Sequence, residues 1–268
     1  MQNDLLTDFS KRYGAYALVT GASEGIGQSF AEELAKAGMN VVLVARRQDR
    51  LNALAQKLEG KYKILCPVIA ADLSNTEQLS ELIEMTEKLD IGLVVCNAGF
   101  GTAGNFLDAD IENELNMLNV NCTAVTKLAH HFGLKFKTKG VGGLILLSSI
   151  VATQGVARSA HYAATKAYVH TLGEGLQQEW LDSELDLLIV APGPVNTGFA
   201  QRSKMQLGKA ATPQVVAKQS LKALGRQQMI HPGWLAKCMH LALSTAPRVL
   251  RVKIMSAIMG SMTKHLSH

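Results

Sequence analysis

Apolar residues in this chain fall in short runs separated by longer stretches of helical period. The runs at 14–20, 40–45, 62–70, 91–96, 143–149 and 186–191 read as strands. Between them the pattern predicts helices after residue 27, with Phe30, Leu34 and Ala37 on one face and Gly38 past the end, and over 48–59, 75–88, about 107–137 and 160–183. Thr212-Pro213 opens a further helix with proline in its first turn, and 228–232 reads as a last strand. The strands mostly lack alternating polar positions, so both of their faces are expected to be buried. Such strands, alternating with helices of this length, predict an α/β chain: a doubly wound, Rossmann-type parallel sheet in a single domain. Residues 1–232 would form that domain, and residues 233–268 a basic, amphipathic helical extension of it.

Sheets of this kind bind ligands beyond the carboxyl ends of their strands, and the distinctive residues gather there. The first strand runs into Gly21-Ala-Ser23-Glu-Gly25-Ile26-Gly27 and then a helix. Glycines permit a tight turn and a close backbone approach to phosphate, and the helix start offers free N–H groups to a pyrophosphate. The second strand ends Ala45-Arg46-Arg47. An acid at this strand end would accept from the 2′-hydroxyl of NAD, whereas an arginine pairs with the extra phosphate of NADP. Ala45 stands where the acid is expected and Arg46 follows, so NADP(H) is the expected cofactor. Asp72, Asn97-Ala98-Gly99, Ser149 and Pro192-Gly193 end the next four strands.

Tyr162 and Lys166 stand at i and i+4, which puts a phenol and an ammonium on one helix face. A phenol titrates near pH ~10, and a positive charge within ~4 Å is worth up to ~4 kcal/mol at an effective dielectric of 20. Lys166 is therefore expected to draw Tyr162 toward neutrality, where it would serve as a proton donor. A carbonyl oxygen held between Ser149 and Tyr162 would be polarised by two hydroxyls while hydride reaches its carbon. His161 neighbours Tyr162 but points elsewhere on the helix, and is expected at the pocket edge or surface. His130-His131 lacks a third ligand at metal spacing, so no metal is expected. Arg158 is expected as an exposed loop arginine, with a place at the substrate mouth as the alternative.

Thr20-Gly-Ala-Ser-Glu-Gly-Ile-Gly27, Asp72-Leu73, Asn97-Ala98-Gly99, Asn121, Ser149, Tyr162-x-x-x-Lys166 and Pro192-Gly193-Pro-Val195-Asn-Thr197 together resemble the motif set of the short-chain dehydrogenase/reductases, in the expected order, from residue 13 to about 232. The resemblance implies an NADP(H)-dependent enzyme with a catalytic tetrad of Asn121, Ser149, Tyr162 and Lys166. Ser149, rather than Ser148, matches the family distance to the tyrosine. It further implies that Asn121 holds a relay water and Lys166 bonds the nicotinamide ribose. Asp72 would sit by the adenine, Asn97 to Gly99 would line the adenine side and steady the sheet, and Thr197 would touch the carboxamide. A substrate loop would follow Thr197, and symmetric pairing into a homo-oligomer is a family expectation.

The tail looks like that of the family's NADPH-type, lipid- and steroid-related reductases. The expected reaction is NADPH-dependent reduction of a ketone or aldehyde, with 3-oxoacyl or other lipid-like substrates in view. A hydroxysteroid or retinoid alcohol dehydrogenase and a non-catalytic dinucleotide sensor are the alternatives.

Composition adds three constraints. With 268 residues, 47% of them hydrophobic and 18% charged, the chain can bury a sizeable core. The net charge of +5 is unevenly spread: residues 201–268 hold eleven Lys and Arg and no Asp or Glu. That basic region suits an anionic ligand, an acidic partner or a membrane surface, or is simply solvated. In the tail, Val249, Leu250, Val252, Ile254, Met255, Ile258, Met259 and Met262 interleave with Arg248, Arg251, Lys253 and Lys264. A helix of this pattern lies on a membrane, packs on a partner subunit or caps the substrate cleft. An apolar pocket with a basic rim would suit an acyl chain on an anionic carrier. The four cysteines follow no metal spacing and suit a reducing, cytoplasmic compartment. The acidic start does not read as a secretory signal, no run is long enough to span a membrane, and no nucleic-acid partner is expected.

Overall fold

The computed structural model describes residues 9–264 except 204, 207 and 209. The reading of the extreme N-terminus lies outside the described residues. Seven parallel strands form one sheet in the order β3-β2-β1-β4-β5-β6-β7. They are β1 (Tyr16–Thr20), β2 (Asn40–Ala45), β3 (Val68–Ala70), β4 (Ile91–Cys96), β5 (Gly142–Leu147), β6 (Leu185–Val190) and β7 (Met229–Ile230). The helices are α1 (Phe9–Tyr13), α2 (Gly25–Lys36), α3 (Gln48–Tyr62), α4 (Thr76–Met85), α5 (Ile111–Leu118), α6 (Ala124–Lys139), α7 (Ala160–Glu179), α8 (Gly198–Arg202), α9 (Pro213–Ala223), α10 (Trp234–Ser244) and α11 (Arg248–Met262). The chain order reverses between β1 and β4, and the doubly wound expectation holds.

Period-two packing explains why the strands are apolar throughout. Ala17 and Val19 of β1 and Leu93 and Val95 of β4 pack into one core layer with α2, α3 and α9. Leu18, Val94 and Cys96 face the opposite layer with α4, α6 and α7. Alternate residues thus enter different cores, leaving no solvent face for a polar position. A third, smaller core joins Phe100, Met117, Ile150, Val151 and Tyr162 to Leu243, Met255 and Met259. Through it the two C-terminal helices pack over the carboxyl end of the sheet.

Helix starts follow the sequence signals. Asn75 caps α4 by accepting from Glu77 and Gln78 N–H groups, and Thr212 caps α9 just before Pro213. Two elements depart from expectation. The strand predicted over 62–70 shrinks to Val68–Ala70, because α3 runs on to Tyr62 and ends with Lys63 in the left-handed conformation. The helix predicted over 107–137 is a short 3-10 turn, then α5, then a π-helical turn at Asn119–Thr123, then α6. Such a wide turn is only one residue longer than an α-turn, a difference that the irregular apolar spacing of the sequence does not reveal.

Candidate active site

A cavity of about 330 Å³ opens over the carboxyl ends of the central strands. It is lined by nearly all the residues expected to hold a cofactor, from Gly21, Ser23, Gly25 and Ile26 through Arg46, Asp72, Leu73 and Asn97–Gly99 to Pro192, Gly193, Val195 and Thr197. Gly27 supports the cavity from beneath rather than lining it. Its missing side chain makes room for the Gly21 carbonyl, which a Cβ would overlap. Gly21 itself has φ +67°, and a Cβ there would come within 2.7 Å of Asn97 Nδ2.

The α2 N-terminus faces this trough with no side-chain cap on its first N–H groups. Uncapped amides at a helix start suit a pyrophosphate. Asn97 ties β4 to the glycine turn, donating from Nδ2 to the Thr20 carbonyl at 2.9 Å while Thr20 Oγ1 accepts from its backbone N–H at 3.0 Å. Thr197 caps α8, and its methyl group lies where a Gly25 Cβ would touch it.

The two arginines after β2 are not equivalent. Arg47 pairs with Glu24 at 2.8 Å and donates to Ser23 Oγ at 3.2 Å, and Arg50 takes the other Glu24 oxygen at 2.9 Å. Arg46 makes no such pair among the described residues and lines the cavity. Across from it, burial works to raise Asp72, but the Ser74 N–H and hydroxyl, aided by Arg46 and Arg202, hold its carboxyl below the usual range. The residues present therefore fit a dinucleotide: an uncapped helix start, a glycine turn tight against it, and one uncommitted guanidinium at the end of β2.

Ser149, Tyr162 and Lys166 meet on the other side of the switch point. Ser149 and Ser148 follow β5 and both border the cavity, but the Ser148 hydroxyl is committed to the Lys166 carbonyl, to which it donates at 3.1 Å. Burial pushes the Tyr162 phenol up to about 12, opposed by its hydrogen bond with Ser149. Burial pushes the Lys166 ammonium down to about 8, with Nζ donating to the Leu147 carbonyl at 2.8 Å. The expected lowering of Tyr162 by Lys166 is therefore not seen. Lys166 Nζ lies 5.9 Å from the Tyr162 ring centroid, and desolvation, which penalises both charged forms, outweighs their attraction.

Asn121 sits in the π-helical turn, fully buried and outside the cavity lining. Its amide accepts from Phe100 N–H at 3.1 Å and donates to the Phe100 carbonyl and Thr165 hydroxyl, both at 2.9 Å. The side chain is thus committed to holding the loop after β4 against α7. His161 turns to Glu114 on α5 at 2.7 Å, away from the cavity, and His131 faces Glu87 at 3.4 Å. Arg158 lies on the 154–159 loop, half-buried rather than exposed as expected, and does not line the cavity.

Residues 15–208 match the family model described as short chain dehydrogenase. The chain belongs to the short-chain dehydrogenase/reductase family. It is 33% identical over 224 residues to a 7beta-hydroxysteroid dehydrogenase of Clostridium sardiniense, covering 82% of this chain and 86% of that one. It is 31% identical over 245 residues to a very-long-chain 3-oxoacyl-CoA reductase of Macaca fascicularis, covering 90% and 78%. Among solved structures, a short-chain dehydrogenase from Sphingobium yanoikuyae in complex with NADPH superposes with a TM-score of 0.78 at 27% identity, covering 87% of this chain and 96% of that one.

Of the alternatives left open for the tail of this short-chain dehydrogenase/reductase, the structure shows its methionines beside Tyr162 in the cavity wall. Phe199 lies 5.3 Å from the Tyr162 ring, and Gly101 is pressed so close that a Cβ would meet both rings. Beyond them the wall is Val120, Val151, Met205, Met239, Met255, Ile258, Met259 and Met262. The methionine-rich tail was visible as an amphipathic pattern. Which element its apolar face would meet was not, since the contact spans about a hundred residues of chain.

Proposed function

We propose that this protein is an NADPH-dependent carbonyl reductase for a bulky, apolar ketone of lipid-like character. The methionine-rich wall from α10 and α11 beside Ser149 and Tyr162 carries this reading. Flexible thioether side chains give adaptable apolar surface for a large substrate.

The chain's own residues have these roles. Ser149 and Tyr162 hydrogen-bond the carbonyl oxygen and polarise it. When bound, NADPH supplies the hydride that the carbonyl carbon accepts. Tyr162, protonated at neutral pH, gives its proton to the oxygen, and the Lys166 ammonium stabilises the phenolate left behind. Asn121 fixes the loop behind this pair through Phe100. Arg46 is the residue for the cofactor's 2′-phosphate, and Gly21, Gly25 and the start of α2 cradle its diphosphate.

Two surfaces support further contacts. Phe106, Leu107, Ile111 and Leu115, around the start of α5, are exposed apolar side chains that suit a second copy of the chain. Trp234, Leu241, Val249, Leu250 and Ile254 are exposed on α10 and α11 beside Lys237, Arg248 and Lys253, which suits peripheral contact with an anionic membrane. No helix among the described residues is long and apolar enough to cross a membrane. Four free cysteines, three of them buried, support a reducing, cytoplasmic setting.

The test is NADPH consumption with 3-oxoacyl thioesters of increasing chain length and with steroid ketones, using Tyr162→Phe as control. Turnover should grow with apolar bulk and vanish in the variant, which should still bind cofactor. Equal rates for short and long substrates would sink the substrate assignment. Cofactor binding without turnover of any carbonyl would favour a dinucleotide sensor instead.

A further inference from the structure

Arg202 ends α8, on the β6 side of the crevice. Its guanidinium carbon stands 3.8 Å from the centroid of the Phe100 ring, which follows β4. From there it senses the residues after β2 and β3. Desolvation and the like charge of Arg46 hold Arg202 below its ordinary value, while Asp72 and Glu24 oppose them. In the strand order, β6 and β2 lie on opposite sides of the β1–β4 switch point. A side chain from the β6 flank therefore stands over the residue that follows β4, and lines the same cavity as Arg46 from the β2 flank.

Among the described residues neither nearby acid forms an ion pair with Arg46 or Arg202, although Asp72 attracts both. Glu24 is held by Arg47 and Arg50, and Asp72 accepts from the N–H and hydroxyl of Ser74. Two guanidiniums facing one cavity without a paired carboxylate repel each other, and an anion between them converts that repulsion into two charge-assisted bonds. A dinucleotide lying across a switch point places its phosphates in this middle region, over the start of α2.

We infer that Arg202 is a phosphate ligand of the cofactor, supplied from the substrate-side helix, and that cofactor binding thereby sets the wall of the substrate pocket. This rests on the dinucleotide reading of the crevice. The same short helix carries Phe199, whose ring packs on Tyr162 at 5.3 Å. Just beyond it, Met205 N–H donates to the Ala200 carbonyl at 2.8 Å and the Met205 side chain lines the cavity. Anchoring Arg202 on phosphate therefore steadies Phe199 and Met205 beside Tyr162.

The experiment is titration of wild type, Arg202→Ala and Arg202→Lys with NADPH and with NADH, together with the rise in melting temperature that each cofactor produces. Arg202→Ala should weaken binding by about tenfold or more and shrink that rise, with Lys restoring part of both. Without cofactor the variant should melt only slightly below wild type, by the loss of its contact with the Phe100 ring. Loss with both cofactors assigns the contact to the diphosphate, and loss with NADPH alone assigns it to the 2′-phosphate. Either result supports the inference. Unchanged affinity for both cofactors in a folded variant overturns it while leaving the cofactor reading intact. Wild type that binds neither dinucleotide overturns both. Wild type without preference between them defeats only the Arg46 assignment.

Discussion

Lys166 Nζ donates to the Leu147 carbonyl at 2.8 Å and stands 5.9 Å from the centre of the Tyr162 ring, so the two groups are neighbours without being a contact pair. Burial moves them in opposite directions, Tyr162 up to about 12 and Lys166 down to about 8. The phenol is therefore protonated at every physiological pH, as a proton donor for reduction must be. The kcat/KM for reduction, which reports the free enzyme, should be level through neutral pH and fall as Lys166 loses its charge above about 8. A profile that instead rises through that range would argue against the assigned roles.

The same shift has a stability consequence. The unfolded chain keeps the Lys166 proton to about the ordinary 10.5 and the folded chain only to about 8, so the unfolded state binds more protons between them. Stability from this group must then rise with pH across that window. Lys166→Met should abolish that part of the rise, read as the pH dependence of the cofactor-free melting temperature.

Arg46 and Arg47 are adjacent in sequence and differ in engagement. Arg46→Ala should reduce the preference for NADPH over NADH by about tenfold to a hundredfold, the worth of a charge-assisted hydrogen bond. Arg47→Ala, which removes a guanidinium already paired with Glu24, should change that preference much less. Equal effects from the two variants would remove the basis for distinguishing them.

Ser149 and Ser148 give a matched pair of variants. Ser149→Ala removes a donor to the carbonyl oxygen and should lower kcat/KM by about a hundredfold. Ser148→Ala loses a bond to the Lys166 carbonyl and should cost about 1 kcal/mol of stability with little effect on the chemical step. Steady-state kinetics beside urea unfolding separates the two.

Met255 is almost wholly buried in the third core and lines the cavity. Met255→Ala should cost about 2–5 kcal/mol of stability and enlarge the pocket. Competition between a large and a small ketone should then shift toward the large one, and no shift would mean that Met255 does not shape the substrate space.

The strands and the rim were legible in the sequence because a parallel sheet buries both faces, so each strand appears as an unbroken apolar run. The turns after those strands carry residues such as Gly21, Arg46 and Ser149 that local chemistry can interpret. The break at Asn119–Thr123 was not legible, since a π-helical turn is only one residue longer than an α-turn and the apolar spacing there is irregular. Nor was the direction of the Tyr162 shift, because i and i+4 spacing fixes a shared helix face but not the burial that decides the charge. Arg202, Phe100 and Phe199 come together from segments about a hundred residues apart, and nothing local to any of them announces the meeting.

The residues proposed to handle the proton, Ser149, Tyr162 and Lys166, all precede residue 170, whereas Phe199, Met205, Met239, Met255 and Met259 in the surrounding wall all follow residue 198. Most of that wall is therefore encoded after the proposed proton-handling residues, with Val120 and Val151 as exceptions. Substitutions in that later stretch can reshape most of the cavity wall while leaving the proposed proton-handling residues in place.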